Sequence, residues 1–345
     1  MNLIKTCGLK PGDKVATISL SWGGAGDSDI LWRYNVGKKR LEEEFGLKVI
    51  EMPNTLKGSE FIYNHPEKRA EDLMLAFMDD SIKAIFSCIG GNESVRMLPF
   101  INFDIIRNNP KIFIGYSDST ITHMICLKAG LSSFYGPSIL AEFAENVELF
   151  DYTNHWIDKV LFDNSPIGNI HASPIWTSEY LPWEEKNKFI KRNTHSNNSY
   201  ELLQGYGTVR GHLIGGCIEV LEMIKGTELW PCKDLWDNSI LFFETSEEKP
   251  DPSYIECLLR NYGTQGILQK SNGIIFGKPY GDMYYEEYKK VILKVIREEL
   301  KLTDLPILYN VNFGHTAPMI TLPYGAIAEI DCDKKTLYIL DSGIS

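Results

Sequence analysis

The sequence predicts an α/β protein in two parts, an N-terminal domain on a parallel sheet and a second, mixed α/β domain. Three observations carry this. Near-continuous apolar runs alternate with amphipathic helical spacing as far as Gly130, the pattern breaks down between 150 and 205, and a second α/β series then begins. Strands apolar along their whole length are buried on both faces, as in a parallel sheet covered by helices. The divisions expected are a first domain over 1–165, a linker and substrate loop over 166–205, and a second domain over 206–345.

KVATISL (14–20) is the first strand and runs into the glycines Gly23, Gly24 and Gly26. Helical spacing follows in YNVGKKRLEEEFG and stops at Gly46, a usual C-terminal signal. LKVIEM reads as a strand, and PEKRAEDLMLAFMDD as an amphipathic helix opened by Pro66. KAIFSCIGG is a buried strand ending in a glycine pair, ESVRMLPFI a short helix, KIFIGY another buried strand, and STITHMICLKAG a helix. Pro, Asn, Ser and charged residues then accumulate, and KNKFIKRNTHSNNSYE is polar enough for an exposed loop. Trp176 and Trp183 sit just before it in WTSEYLPWEE. The second part runs through GTVRGHLIGGCIEVLEMI, the strand SILFFET, the helix PSYIECLLRNYG, the strand NGIIFG, a helix near 284–300, and the strands PILYNVNF and GAIAEIDCD.

Composition narrows the function. A chain 43% hydrophobic with 23% charged residues has material for two cores. Its net charge of -11 argues against a nucleic-acid partner, which normally meets a basic face. No run approaches the roughly 20 apolar residues of a membrane span. MNLIKTCGLKPGDKVATISL lacks a signal-peptide pattern. Seven cysteines, at 7, 88, 126, 217, 232, 257 and 332, are never spaced as CxxC and are expected as reduced thiols, which points to the cytoplasm.

Several chemistries lack their motifs. There is no HExxH, no zinc-spaced Cys/His set, no EF-hand loop and no GxxxxGK[ST], so no metal and no P-loop nucleotide are expected. GGAG after the first strand falls short of GxGxxG and reads as a tight strand-to-helix turn.

Lys111–Gly130 is more informative. The strand KIFIG stops at Tyr116-Ser117-Asp118 and a helix begins at once, so a side chain there projects from the C-terminal edge of the sheet, where open α/β proteins bind ligands. N–H groups at the start of that helix suit an oxyanion, the logic of a nucleophile elbow, although Ser119 replaces the second glycine of GxSxG. The ordinary role of Ser or Asp at such a junction is to cap the helix. CIGGNES (88–94) is a second glycine loop at the same edge, with Asn92 or Ser94 as its own candidate caps.

A serine needs a base, and the base an orienting acid. His65, His155, His171 and His195 lie in polar contexts and are expected on the surface; His123 lies within the helix after Ser117 and is expected packed or surface-facing; His212 precedes a strand. His315, in NVNFGHTAPMITLPYG, follows an apolar strand and is flanked by Gly314. Glu244 ends the apolar strand ILFFE, a costly place for an unpaired carboxylate.

Taken together, LKPGDKVATISLS, RAEDLMLAFMD, the IGG loop, GYSDST, FYGP, GHLIGG, LFFE, IIFGKPYG and FGHTAPMITLPYGAIAEI resemble the LD-carboxypeptidase family of serine peptidases over nearly the whole chain. The resemblance implies a flavodoxin-like N-terminal domain carrying the nucleophile, a C-terminal domain supplying Glu and His, a homodimer and no cofactor. Carried over, Ser117 is the nucleophile, Glu244 the acid and His315 the base, with the N–H groups of Gly91 and Asp118 as oxyanion hole. The helix cap then falls to Asp118 while Ser117 faces the cleft.

GGNES and the Trp-rich WTSEYLPWEE look more like the microcin C self-immunity branch, whose members cleave the link between an aminoacyl group and a nucleotide. Trp176 or Trp183 would be the base-stacking platform, with packing as their other role, and Asn92 would lie near the substrate. The alternatives are a murein LD-carboxypeptidase releasing terminal D-alanine from tetrapeptides, a non-catalytic nucleotide- or peptide-binding protein, and a flavodoxin-like cofactor binder.

Overall fold

The computed structural model describes Met1–Ser345. Five strands, β1 (Lys14–Ile18), β2 (Lys48–Glu51), β3 (Ile82–Ser87), β4 (Ile112–Gly115) and β5 (Phe134–Tyr135), pair in parallel in the order β2-β1-β3-β4-β5. That is the flavodoxin-like order. All four residues of β4 are buried, which is why its sequence is apolar throughout rather than alternating. Helices Leu31–Glu43, Pro66–Met78 and Thr120–Ala129 follow as the hydrophobic spacing predicts. GGAG closes a tight turn in which a Cβ on Gly26 would lie 2.4 Å from the Leu56 backbone and one on Gly24 would meet the Trp22 ring. These glycines serve close packing.

The segment after residue 150 contains β6 (Gly168–Ile170), β7 (Ile175–Trp176), β8 (His195–Ser196) and β9 (Glu201–Gln204), then β10 (Thr208–Cys217), β11 (Ser239–Glu244), β12 (Gly273–Gly277), β13 (Ile307–Val311), β14 (Leu322–Pro323), β15 (Ile327–Asp331) and β16 (Thr336–Ile339). Eight of these form a mixed sheet in the order β6-β16-β15-β10-β11-β12-β13-β9, with β10 to β13 parallel. β7 and β8 make a separate ribbon. The Gly-Gly pair of GHLIGG has a packing reason: a Cβ on Gly215 would lie 1.7 Å from the Phe242 carbonyl oxygen on β11.

The two sheets are tied together at the edge where strand ends gather. β14 adds antiparallel to β5. Ser132 Oγ donates to the Tyr324 carbonyl at 2.8 Å, and Tyr324 Oη to the Gly215 carbonyl at 2.7 Å. The Cys217 N–H donates to Thr120 Oγ1 at 3.2 Å. A single apolar core runs through both sheets, so the ends of β3, β4, β5, β11 and β13 are held in fixed relation. No helix is long and apolar enough to cross a membrane, and all seven cysteines are free thiols.

Candidate active site

Ser117 stands immediately past β4 with φ of 60°, in the left-handed region. For a non-glycine residue this costs roughly 1–2 kcal/mol and persists only where the surroundings impose it. They do so here. The Ser117 N–H donates to Tyr135 Oη at 3.1 Å, and a Cβ on Gly90 would lie 2.8 Å from Ser117 Cβ. Neither Ser117 nor its neighbours caps the helix that follows, so the capping role expected of Asp118 is corrected. The fully buried Asp118 instead turns its carboxylate to the neighbouring loop, where Oδ2 accepts from the N–H groups of Glu93 (3.0 Å) and Ser94 (2.8 Å). Asn92 and Ser94 are likewise not caps by their side chains. This cross-link locks the IGG loop against the serine turn, because β3 and β4 are neighbours in the sheet. The Gly90 carbonyl accepts from the Trp22 N–H at 3.2 Å. The trans peptide therefore points the Gly91 N–H the opposite way. The N–H groups of Gly91 and Asp118 donate to no protein acceptor.

His315 follows β13, and its Nδ1 lies 2.7 Å from Glu244 Oε2 at the end of β11. Gly314 makes this approach possible: its φ is +92°, and a Cβ there would sit 2.5 Å from Glu244 Oε2. Glu244 Oε1 accepts from Tyr135 Oη at 2.5 Å. One phenol thus joins the serine backbone to the acid. Burial, and then the negative charge of Glu244, hold Tyr135 well above its ordinary value, so it stays a donor. His315 Nε2 is 3.0 Å from Glu247 Oε2, and no hydrogen bond joins it to Ser117 Oγ. Burial pulls His315 down, but the two carboxylates outweigh it and hold the imidazole well above its ordinary value. His123 is packed, its ring nitrogens 2.9 Å from the Gly115 carbonyl oxygen and Ser133 Oγ, and burial drives it down to about 3. His212 lies inside β10 rather than before it. No group of three His, Cys, Asp or Glu side chains is arranged to hold a metal ion.

Ser117 and His315 line one cleft of about 430 Å³. Trp183 lines it too, its ring 6.1 Å from that of Trp22 and 4.7 Å from the Arg33 guanidinium carbon. The loop carrying Trp183 is pinned in place. Trp32 Nε1 donates to the Trp183 carbonyl at 3.3 Å, Asn146 Nδ2 donates to the carbonyls of Asn187 and Ile190, and Arg192 pairs with Glu145. Trp176 is elsewhere: it is buried in the β7–β8 ribbon beneath Lys278, whose Nζ lies 4.2 Å from its ring. Asn92 borders a second cleft of about 560 Å³ that also reaches Ser117. The two clefts share Trp22, Gly91, Ser117 and Glu247.

The LD-carboxypeptidase N-terminal domain model matches residues 15–136, and the LD-carboxypeptidase C-terminal domain model residues 210–330. The chain belongs to the LD-carboxypeptidase family. It is 32% identical to the microcin C7 self-immunity protein MccF of Escherichia coli, over 87% of this chain and 86% of that one. It is 27% identical to the "Probable murein peptide carboxypeptidase" of Bacillus subtilis, over 88% and 85%. Among solved structures, an MccF-like protein from Streptococcus pneumoniae in complex with AMP matches with a TM-score of 0.88 at 33% identity, covering 95% of this chain and 98% of that one. MccF in complex with aspartyl sulfamoyl adenosine matches with a TM-score of 0.84 at 29% identity, covering 99% and 100%. These family members share the two-sheet α/β architecture.

Tyr135, Glu247, Trp22 and Arg33 also stand at the site, and none of them is singled out by the sequence alone. Tyr135 had a signal, since FYGP ends a strand at the same sheet edge. Glu247 had none, lying in an ordinary charged loop three residues past Glu244.

Proposed function

We propose that the protein is a serine hydrolase that cleaves the amide-type bond between an aminoacyl group and a nucleotide. Supporting this is the left-handed Ser117 sharing a cleft with His315, whose other nitrogen faces Glu244. Ser117 Oγ attacks the acyl carbon as His315 Nε2 takes its proton, with Glu244 fixing the tautomer and balancing the imidazolium charge. The N–H groups of Gly91 and Asp118 receive the oxyanion; losing one such donor costs about 3–4 kcal/mol in barrier. His315 then protonates the leaving nitrogen, and water hydrolyses the acyl-serine.

The nucleotide reading rests on Trp183, exposed to the cleft between Trp22 and Arg33, and on the AMP and aminoacyl-sulfamoyl adenosine bound by the similar MccF-type proteins. Stacking a base on an aromatic ring contributes about 1–3 kcal/mol. The second reading, a murein carboxypeptidase, uses the same residues and is favoured by the Bacillus subtilis relative. Incubation with alanyl-sulfamoyl adenosine and with a murein tetrapeptide, followed by mass spectrometry, separates them. Release of sulfamoyl adenosine is expected; release of D-alanine alone would overturn the nucleotide reading.

A further inference from the structure

Glu247 occupies an unusual position for an exposed loop carboxylate. It sits on the histidine nitrogen that must serve Ser117, 3.0 Å from Nε2, and it borders both clefts that meet at the serine. The second cleft is lined by Glu93, Glu219, Glu247 and Glu248 and by no lysine or arginine, whereas in the first Arg33 and Arg192 stand among Glu142, Glu145, Glu179 and Glu247 and offset part of their charge. The acids differ in their commitments. Glu93 pairs with Arg69 and Arg96, and Glu219 accepts from the N–H and hydroxyl of Ser246. Glu247 alone is committed to His315.

We propose that Glu247 reads the α-ammonium group of an aminoacyl substrate and, in moving onto it, frees His315 Nε2 for Ser117. This rests on the aminoacyl-nucleotide reading above. With the acyl carbon at Ser117 and the nucleotide in the Trp183 cleft, the acyl substituents fall into the acidic cleft, and Glu247 lies between the two. Before substrate binds, the imidazolium holds one proton toward Glu244 and one toward Glu247. The incoming ammonium replaces it as the partner of Glu247. The Nε2 proton then passes to water in the open cleft, one proton per substrate bound, and the neutral imidazole accepts the serine proton.

The charges around the ring fit this exchange. Besides Glu244 and Glu247, the ring faces the Tyr116 phenol (5.1 Å between ring centres), which is itself backed by Glu142, and Tyr280 and Arg192 stand further along the cleft. His315 holds the Glu247 carboxyl down at about 2, so it is ionised and available to an ammonium group at neutral pH.

The test pairs a substrate series with a titration. Alanyl-, N-acetylalanyl- and N-acetyllysyl-sulfamoyl adenosine are compared on wild type and Glu247→Gln, and the His315 ring is titrated by NMR in both ligand-free proteins. Wild type should favour the alanyl compound by about 10-fold or more in kcat/KM, the scale of one charged hydrogen bond. Glu247→Gln should lose that preference, and its His315 should titrate at lower pH than in wild type. A preference retained by Glu247→Gln, or an unchanged His315 titration, would overturn the proposal. Equal wild-type cleavage of the alanyl and N-acetyllysyl compounds would overturn the α-ammonium assignment. If wild type cleaved none of the three, the aminoacyl-nucleotide reading would fall, and the titration alone would decide whether Glu247 clamps His315.

Discussion

Replacing Tyr135 with phenylalanine removes one oxygen and probes the whole constellation. Tyr135 Oη donates to Glu244 Oε1 at 2.5 Å and accepts the Ser117 N–H at 3.1 Å, all within a buried region. The ring itself, 1% exposed, keeps its packing in Tyr135→Phe, so the fold should persist. The lost bond to a buried carboxylate is worth about 1.5–3 kcal/mol and the lost backbone partner about 1 kcal/mol. Unfolding free energy should therefore drop by about 2–4 kcal/mol in a denaturant titration. Kinetically, Glu244 loses the group that fixes its second oxygen and Ser117 the contact that fixes its backbone. Misplacement of a reacting group by an ångström costs about 100-fold, so kcat should fall by about 10- to 100-fold. KM should change little, because Tyr135 lines neither cleft. A carboxylate without the phenol donor also attracts the His315 proton more strongly, which moves the acid limb of kcat/KM to higher pH. A variant with wild-type kcat and wild-type stability would refute the role of Tyr135 in holding Ser117 and Glu244.

Three further outcomes follow from the geometry. Trp183→Ala should raise KM by about 5- to 150-fold with little change in kcat, the equivalent of 1–3 kcal/mol of stacking, whereas Trp176→Phe should leave KM alone; steady-state kinetics on an aminoacyl-sulfamoyl nucleoside checks both. Gly314→Ala forces a left-handed alanine whose Cβ lies 2.5 Å from Glu244 Oε2, so activity should collapse beyond the about 1–3 kcal/mol of backbone strain seen in its unfolding curve. His123 stays neutral in the native state down to about pH 3, while the unfolded chain takes up a proton near its ordinary 6.5. Its stabilisation is therefore complete above that value and is lost as pH falls, by about 2 kcal/mol at about pH 5. Chemical denaturation at two pH values should show this loss in wild type and not in His123→Gln.

Much of the architecture was legible because burial writes itself into composition. β4 is buried throughout and β3 at every residue but Lys83, so both read as apolar runs, and Pro66 and Gly130 mark helix ends where the backbone needs them. Ser117, Glu244 and His315 each stand at or just past a strand end, where a polar residue breaks an apolar run. The remainder was not legible, because it depends on which strand ends meet. Trp176 and Trp183 share one polar stretch, yet only Trp183 reaches the cleft, since Trp32, Asn146 and Arg192 pin its loop from distant parts of the chain. Asp118 resembles a helix cap locally but serves a neighbouring loop brought beside it by sheet order. Glu247 acquires its contact only because the 312–321 loop returns His315 to the end of β11.

Comparing wild type with Ser117→Ala on alanyl-sulfamoyl adenosine tests most directly whether Ser117 is the nucleophile. The variant removes one hydroxyl at the cleft and should fold and bind as wild type does, yet kcat should fall by about 10,000-fold or more. A Ser117→Ala protein turning over within about 10-fold of wild type would contradict the account, since no triad chemistry survives loss of its nucleophile on that scale.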